Sequence, residues 1–174
     1  MMLPPPGLSG DHQHANCALA AAMIRYQDRI AVSLDALKEG VRGARWPARM
    51  QRLAPGPLTG TRAVWLDGGH NPQAGAMLGK HFDGQRLHLV IGMIEGKDPK
   101  ALIDPLGGSL ASVTAVPVPG HDWYPAGAFG PTARPAADVP SAMAMVPDDS
   151  LPILIAGSLY LAGEVLRLND ELPD

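Results

Sequence analysis

AVWLDGGHNPQAGAML, residues 63–78, is the stretch whose reading decides the fold. A short apolar run, Val64-Trp65-Leu66, ends abruptly in Asp67, Gly68, Gly69, His70, Asn71 and Pro72. The apolar run suits a buried strand, the two glycines permit a tight turn, and Pro72 fits the first position of a helix running through residues 73–79 or beyond. In an open α/β sheet such a junction is where ligands bind, because the helix start offers unpaired backbone N–H groups. The Asp67 carboxylate and the His70 imidazole then face the same crevice. A plainer reading of the same residues makes Asp67 the helix cap and His70 a solvated turn residue.

Working outward, the apolar runs at 62–66, 87–93, 112–118 and 153–156 read as buried strands, with helices expected at 73–82, 99–106 and 159–168. That alternation predicts an α/β fold: a Rossmann-like, mostly parallel sheet with flanking helices. Two helices are expected to precede it. One spans 14–29, apolar at Ala18, Leu19, Ala22, Met23 and Tyr26 and with Asp11 as a cap; the other spans 34–41, started by Ser33 and closed by Gly43. Residues 1–10 contain Pro4, Pro5 and Pro6 and read as a linker or a cut end, and 120–147, rich in proline, alanine and glycine, as at most broken helical turns.

Composition narrows the function classes. The chain has 174 residues, 46% of them apolar, enough for one ordinary α/β domain and some extra structure. Its net charge is −3 and no Lys/Arg block occurs, so neither a nucleic-acid surface nor an anionic-membrane surface is expected. No apolar run is long enough to span a bilayer and residues 1–10 lack the apolar core of a signal peptide, which makes the cytoplasm the default location. The single cysteine, Cys17, forbids an intrachain disulfide and reads as a small buried residue.

Four further segments carry polar chemistry. GDHQHANCALA, residues 10–20, places His12, Gln13 and Asn16 near a helix start; His12 and His14 at i and i+2 do not face one another, so no metal pair is expected. WPARMQRL, residues 46–53, carries Arg49, whose planar fork suits phosphate. GMIEGKDPKALIDPL, residues 92–106, fails as a Walker A motif: three residues separate its glycines, and Asp98 follows Lys97. ILIAGSLYLAGEVL, residues 153–166, is a strand, a Gly157-Ser158 turn and a helix; Leu161 stands where a nucleophile elbow needs glycine, leaving Ser158 as a helix cap that also meets a ligand.

In order, GDHQHAN, WPARMQRL, LDGGHNP, GMIEGKD and AGSLYLAGEVL resemble the C-terminal part of bacterial folylpolyglutamate synthase/dihydrofolate synthase, of the Mur ligase superfamily, over roughly residues 10–168. The resemblance implies ATP-dependent amide synthesis: a carboxylate of a dihydropteroate or folate substrate is phosphorylated, and the amino group of L-glutamate attacks the acyl phosphate. By motif position it implies Asn16 on adenine, Arg49 on the phosphates and Asp67 on the ribose or phosphate region of ATP. His70 and Ser158 would lie near the incoming glutamate and the reacting phosphate, with His70 and Arg49 in catalytic roles. Mg2+ accompanies ATP, with its ligands expected mainly in a central P-loop domain.

No Walker A sequence occurs in the chain, so the resemblance further implies a fragment, inactive alone, whose missing partner is that P-loop domain. Residues 1–45 would be the terminal helices of the central ATPase domain with a linker, and 46–174 the Mur-ligase-like C-terminal domain. Two other readings stay open at this point: a Rossmann-like nucleotide-binding module without catalysis, and a Mur ligase relative acting on a peptidoglycan precursor. The His12-Gln13 pair and the GSLYL run favour folate.

Overall fold

The computed structural model describes residues 2–8, 10 and 12–173, in two compact units, Met1–Arg49 and Met50–Asp174. The first contains two helices, α1 (His12–Tyr26) and α2 (Leu34–Gly43). The Ser33 hydroxyl caps α2 by accepting from Ala36 N–H at 3.1 Å. The end of α1 falls three residues earlier than expected, and Gln27 supplies the reason. Its side-chain amide donates to the Ile24 and Ile30 carbonyls at 2.8 and 2.6 Å and accepts from the Arg29 and Ile30 N–H groups, replacing helical bonds with a local turn. The expected cap at Asp11 lies outside the described residues.

The expected apolar stripe of α1 is a second difference. Leu19, Met23 and Tyr26 are 63, 66 and 93% exposed, and the covered face runs instead through Gln13, Cys17 and Ala21, spaced four apart.

The second unit is a six-stranded sheet in the order β1-β2-β6-β3-β4-β5. Its strands are β1 (Gln51–Arg52), β2 (Val64–Asp67), β3 (Leu87–Ile91), β4 (Leu110–Ala115), β5 (Arg134–Pro135) and β6 (Ile153–Ala156). All neighbours are parallel except β1, an antiparallel edge on β2. The predicted α/β class with a mostly parallel sheet therefore holds. The helices are α3 (Pro72–His81), α4 (Lys100–Leu106), α5 (Val139–Met145) and α6 (Leu159–Leu168).

Strand pleat sorts the core into two layers. Leu87, Leu89 and Ile91 of β3, Leu154 and Ala156 of β6, and Val113 and Ala115 of β4 pack with Leu78 and Phe82 from the α3 side and Leu102 and Leu106 of α4. Helices α3 and α4 meet closely: a Cβ on Gly75 would lie 1.8 Å from the Ala101 carbonyl oxygen. On the alternate positions Val64, Leu66, Val90, Ile153 and Ile155 are buried too, and α6 lies against β2 and β6.

The segment 120–147 is more regular than expected. It holds a 3₁₀ turn (Ala126–Phe129), strand β5 and the two-turn helix α5, capped by Asp138, whose side chain accepts from Ser141 N–H at 2.8 Å. The proline of α5 sits in its first turn, where the absent N–H costs nothing. It starts the helix instead of breaking it.

Candidate functional site

Strand register builds the site. Asp67 of β2 lies level with Ala156 of β6, which lies level with Ile91 of β3 and, across it, Ala115 of β4. Four strands thus end on one line, and the turns that follow share the carboxyl edge of the sheet, the ligand-facing edge of open α/β folds. The strand order in the sheet places β6 between β2 and β3, so the turn after β2 and the turn after β6 are neighbours.

Glycines let these turns approach closely. A Cβ on Gly68 would fall 2.3 Å from Leu159 Cδ2 at the start of α6, and one on Gly92 2.9 Å from the Val116 carbonyl oxygen. Gly157 has φ +110, and its Cβ would lie 2.7 Å from the Gly92 carbonyl oxygen. That combination of positive φ and contact admits only glycine.

The polar side chains are set by these turns. Asn71, with extended backbone, caps α3 by accepting from Ala74 N–H at 2.9 Å, and Pro72 follows it at the first helical position. The cap is therefore Asn71 and not Asp67. Asp67 is 1% exposed; Oδ1 accepts from Gly69 N–H at 2.7 Å and Oδ2 from Met50 N–H at 2.9 Å.

His70 is half-buried, its Nδ1 3.2 Å from the Gly68 carbonyl oxygen. Because a carbonyl only accepts, that contact places a proton on Nδ1. Ser158 is buried, and its Oγ caps α6 by accepting from Tyr160 N–H at 3.1 Å. Asp67, His70 and Ser158 thus stand on adjacent turns of the second unit.

The other two sequence-derived residues lie in the first unit. Asn16, on an exposed position of α1, donates from Nδ2 to Gln13 Oε1 at 3.1 Å. Arg49 is half-buried and follows Ala48, which adopts φ +56.

One feature escaped the sequence. Beyond β3 and β4 opens a cleft of about 720 Å³ lined by Glu95, His121, Asp122, Trp123 and Tyr160, among others. Its walls are laced by Glu95 N–H to the Asp122 carbonyl at 3.1 Å and Tyr124 N–H to the Met93 carbonyl at 3.1 Å, and the His121 ring stands edge-on to Tyr160, centroids 3.9 Å apart. The available signal was Trp123, a large apolar residue 44% exposed in a loop after a strand. Among the described residues no group of three or more His, Cys, Asp or Glu is placed to hold a metal ion, and no helix is long and apolar enough to cross a membrane.

Fold and turns together define an open, Rossmann-like α/β domain with a mostly parallel sheet. No family model matches the chain. It is 30% identical over 180 residues to the folylpolyglutamate synthase of Lacticaseibacillus casei, covering 91% of this chain and 38% of that protein. Among solved structures, Mycobacterium tuberculosis folylpolyglutamate synthase complexed with ADP superposes with a TM-score of 0.76 at 24% identity, over 97% of this chain and 42% of that one. A bifunctional folylpolyglutamate synthase/dihydrofolate synthase with Mn, AMPPNP and L-glutamate bound gives 0.72 at 25% identity, over 95% and 40%. The chain is thus similar to folylpolyglutamate synthases and a bifunctional folylpolyglutamate synthase/dihydrofolate synthase, and it spans less than half the length of these proteins.

Proposed function

We propose that this chain is the amino-acid-side portion of an ATP-dependent ligase that joins L-glutamate to a dihydropteroate or folate carboxylate through an acyl phosphate. One observation carries the reading: the LDGGHNP and GSLYL turns, far apart in sequence, abut at the carboxyl edge of the sheet, with Gly68 packed against Leu159. The names of the relatives favour a ligase over a nucleotide-binding module without chemistry, and the ADP and AMPPNP complexes support a nucleotide as co-substrate.

In this reading Asn16 meets adenine and Arg49 the phosphates, where a permanent positive charge offsets charge developing on the transferring phosphoryl group. His70 and Ser158 face the incoming glutamate. The chemistry is balanced: a substrate carboxylate oxygen takes the γ-phosphoryl group and ADP leaves. The glutamate nitrogen then attacks the acyl carbon, phosphate departs and the amine loses a proton. His70 is assigned to receive that proton at Nε2, the ring nitrogen opposite the one held by the Gly68 carbonyl. The divalent ion, Mg2+ in this proposal, shields the phosphates when bound; its ligands are assigned to a central P-loop ATPase domain, of which residues 1–45 would be the terminal helices and to which 46–174 would be the C-terminal domain. The enzyme is placed in the cytoplasm.

Ligation tests the reading directly. The isolated chain, given ATP, Mg2+, dihydropteroate or a folate, and glutamate, is expected to form no product, and the chain joined to the remaining portion of its relatives' length is expected to form the glutamyl amide with release of ADP. Robust ligation by the chain alone, or none by the joined protein, overturns it.

A further inference from the structure

We propose that the cleft beyond β3 and β4 is a binding site for an organic cation, an alkylammonium group held against aromatic rings and beside two carboxylates. Nothing in this inference rests on the ligase reading. The antiparallel bridge between Ile94 and Trp123 sets Glu95 opposite Asp122, and the Glu95 N–H bond to the Asp122 carbonyl, 3.1 Å, joins the two backbones there. Like charges directly opposite each other on paired strands repel. Neither carboxylate has a hydrogen-bond or ion-pair partner among the described residues, and the lining of the cleft includes no lysine or arginine. A cation bound there removes the repulsion.

The rings decide what kind of cation fits. Trp123 and Tyr160 line the same cleft and are 44 and 58% exposed. Ring faces attract ammonium groups, tryptophan most strongly, and a substituted ammonium can lie on a ring through its alkyl groups while its charge reaches a carboxylate. A hard divalent metal ion fits poorly, because it needs about six oxygen ligands at short, fixed distances. Glu95, His121 and Asp122 share the cleft, yet no three such side chains among the described residues are grouped to hold a metal. The volume, about 720 Å³, is that of a small-molecule site. His121, edge-on to Tyr160, braces that ring, and the Tyr160 N–H donates to Ser158 Oγ at 3.1 Å. One wall of the cleft is therefore continuous with the turn that carries Ser158.

Choline is the probe, titrated into the 174-residue chain at constant ionic strength and read by the indole N–H signals in nitrogen–proton correlation spectra. The Trp123 signal, assigned as the one that Trp123→Phe removes, is expected to shift saturably with a Kd of about 1–20 mM, the affinity of a few solvent-open contacts. The signals of Trp46 and Trp65 are expected to stay in place. Dimethylbutanol, the uncharged analogue in which carbon replaces the choline nitrogen, is expected to bind about fivefold more weakly or worse. The Glu95→Gln/Asp122→Asn double variant is expected to weaken choline by about fivefold or more and to leave the alcohol within about twofold. Equal affinity for choline and its carbon analogue makes the cleft a neutral apolar groove and overturns the proposal without any variant having to fold. The absence of a saturable Trp123 shift up to about 100 mM choline overturns it as well, about fivefold beyond the weakest affinity expected. So does displacement of choline by equimolar Mg2+, the behaviour of a metal site. Ligation assays on the joined protein have no bearing on these outcomes.

Discussion

Replacing Gly157 by alanine changes one methyl group at the point where β6 hands over to α6, and the structure fixes both the sign and the scale of the effect. Two costs add. The backbone at φ +110 lies where residues with a Cβ rarely go, worth about 1–3 kcal/mol. The new Cβ would also stand 2.7 Å from the Gly92 carbonyl oxygen and 3.1 Å from Ile91 Cγ1, so backbone of a central strand's exit must retreat, an overpacking cost of about 1–3 kcal/mol. The sum, roughly 2–6 kcal/mol, is a large share of the 5–15 kcal/mol that typically holds a domain together. Urea unfolding followed by circular dichroism reads it as a lower midpoint at unchanged slope. Gly163→Ala is the internal control: six residues later, in the exposed middle of α6, a Cβ meets nothing within 4 Å. There helix propensity alone acts, and the same substitution is expected to stabilise by about 0.5–1 kcal/mol. Opposite signs for the pair are the prediction. A Gly157→Ala change smaller than about 0.5 kcal/mol refutes the argument that backbone contact, and not glycine content, shapes this edge.

His70→Ala and Arg49→Ala in the joined ligase are each expected to lower turnover by on the order of tenfold or more, read by coupled ADP release; unchanged rates remove both from the chemistry. Asn71→Ala removes the cap of α3 and is expected to cost about 1 kcal/mol in urea unfolding. His88, 2% exposed, bonds Ser112 Oγ through Nδ1 at 2.7 Å and Asp149 through Nε2 at 3.1 Å, so His88→Ala strands polar partners in addition to opening a cavity and is expected to cost roughly 2–4 kcal/mol. Acid unfolding has a defined direction. The Leu151 N–H bond, against the opposing effect of burial and with help from His88, holds the Asp149 carboxyl below its ordinary value, and the bonds to Ser141 do the same for Asp138. Folded values below unfolded ones mean stabilisation complete above about pH 4 and lost as pH falls through the folded values; Asp138→Asn with Asp149→Asn is expected to flatten that fall in midpoint-against-pH curves.

The legible parts of the fold were those in which local pattern and tertiary context agree. Val64-Trp65-Leu66, the glycine pair and Pro72 gave strand, turn and helix start within two residues of their observed limits, because each residue type is suited to its place before any packing is considered. Strands β1 and β5, two residues each, have no period to detect and exist only because β2 and β4 offer an edge. Helix α5 was hidden by its proline and announced only by Asp138, a cap readable once the proline is recognised as first-turn. The face of α1 was misread because Leu19, Met23 and Tyr26 outweigh Gln13, Cys17 and Ala21 in hydrophobicity, yet the smaller residues are the covered ones. At the site, residue identity pointed to Asp67, His70 and Ser158; that Asp67 accepts from two backbone amides depends on Met50, seventeen positions away, and no local pattern reports it.

A further consequence concerns what a ligand at this edge would meet. Because β2, β3 and β6 end level and are followed by Gly68, Gly92 and Gly157, the three turns pack closely, Gly157 against the Gly92 main chain and Gly68 against the Leu159 side chain. Polar chemistry is then delivered by few groups, His70 and Ser158, each tied to its own turn by a single local bond. Such an arrangement gains accuracy from the backbone and loses tolerance in it: a displacement of one turn is transmitted to its neighbours, since interiors packed this closely have little slack. It follows that substitutions at the glycines should impair function through geometry while substitutions at His70 or Ser158 should impair it through chemistry, and the two classes separate by stability. Gly157→Ala lowers both unfolding midpoint and turnover; His70→Ala lowers turnover while the midpoint stays close to that of the unaltered chain. An edge held together by its side chains would invert that order.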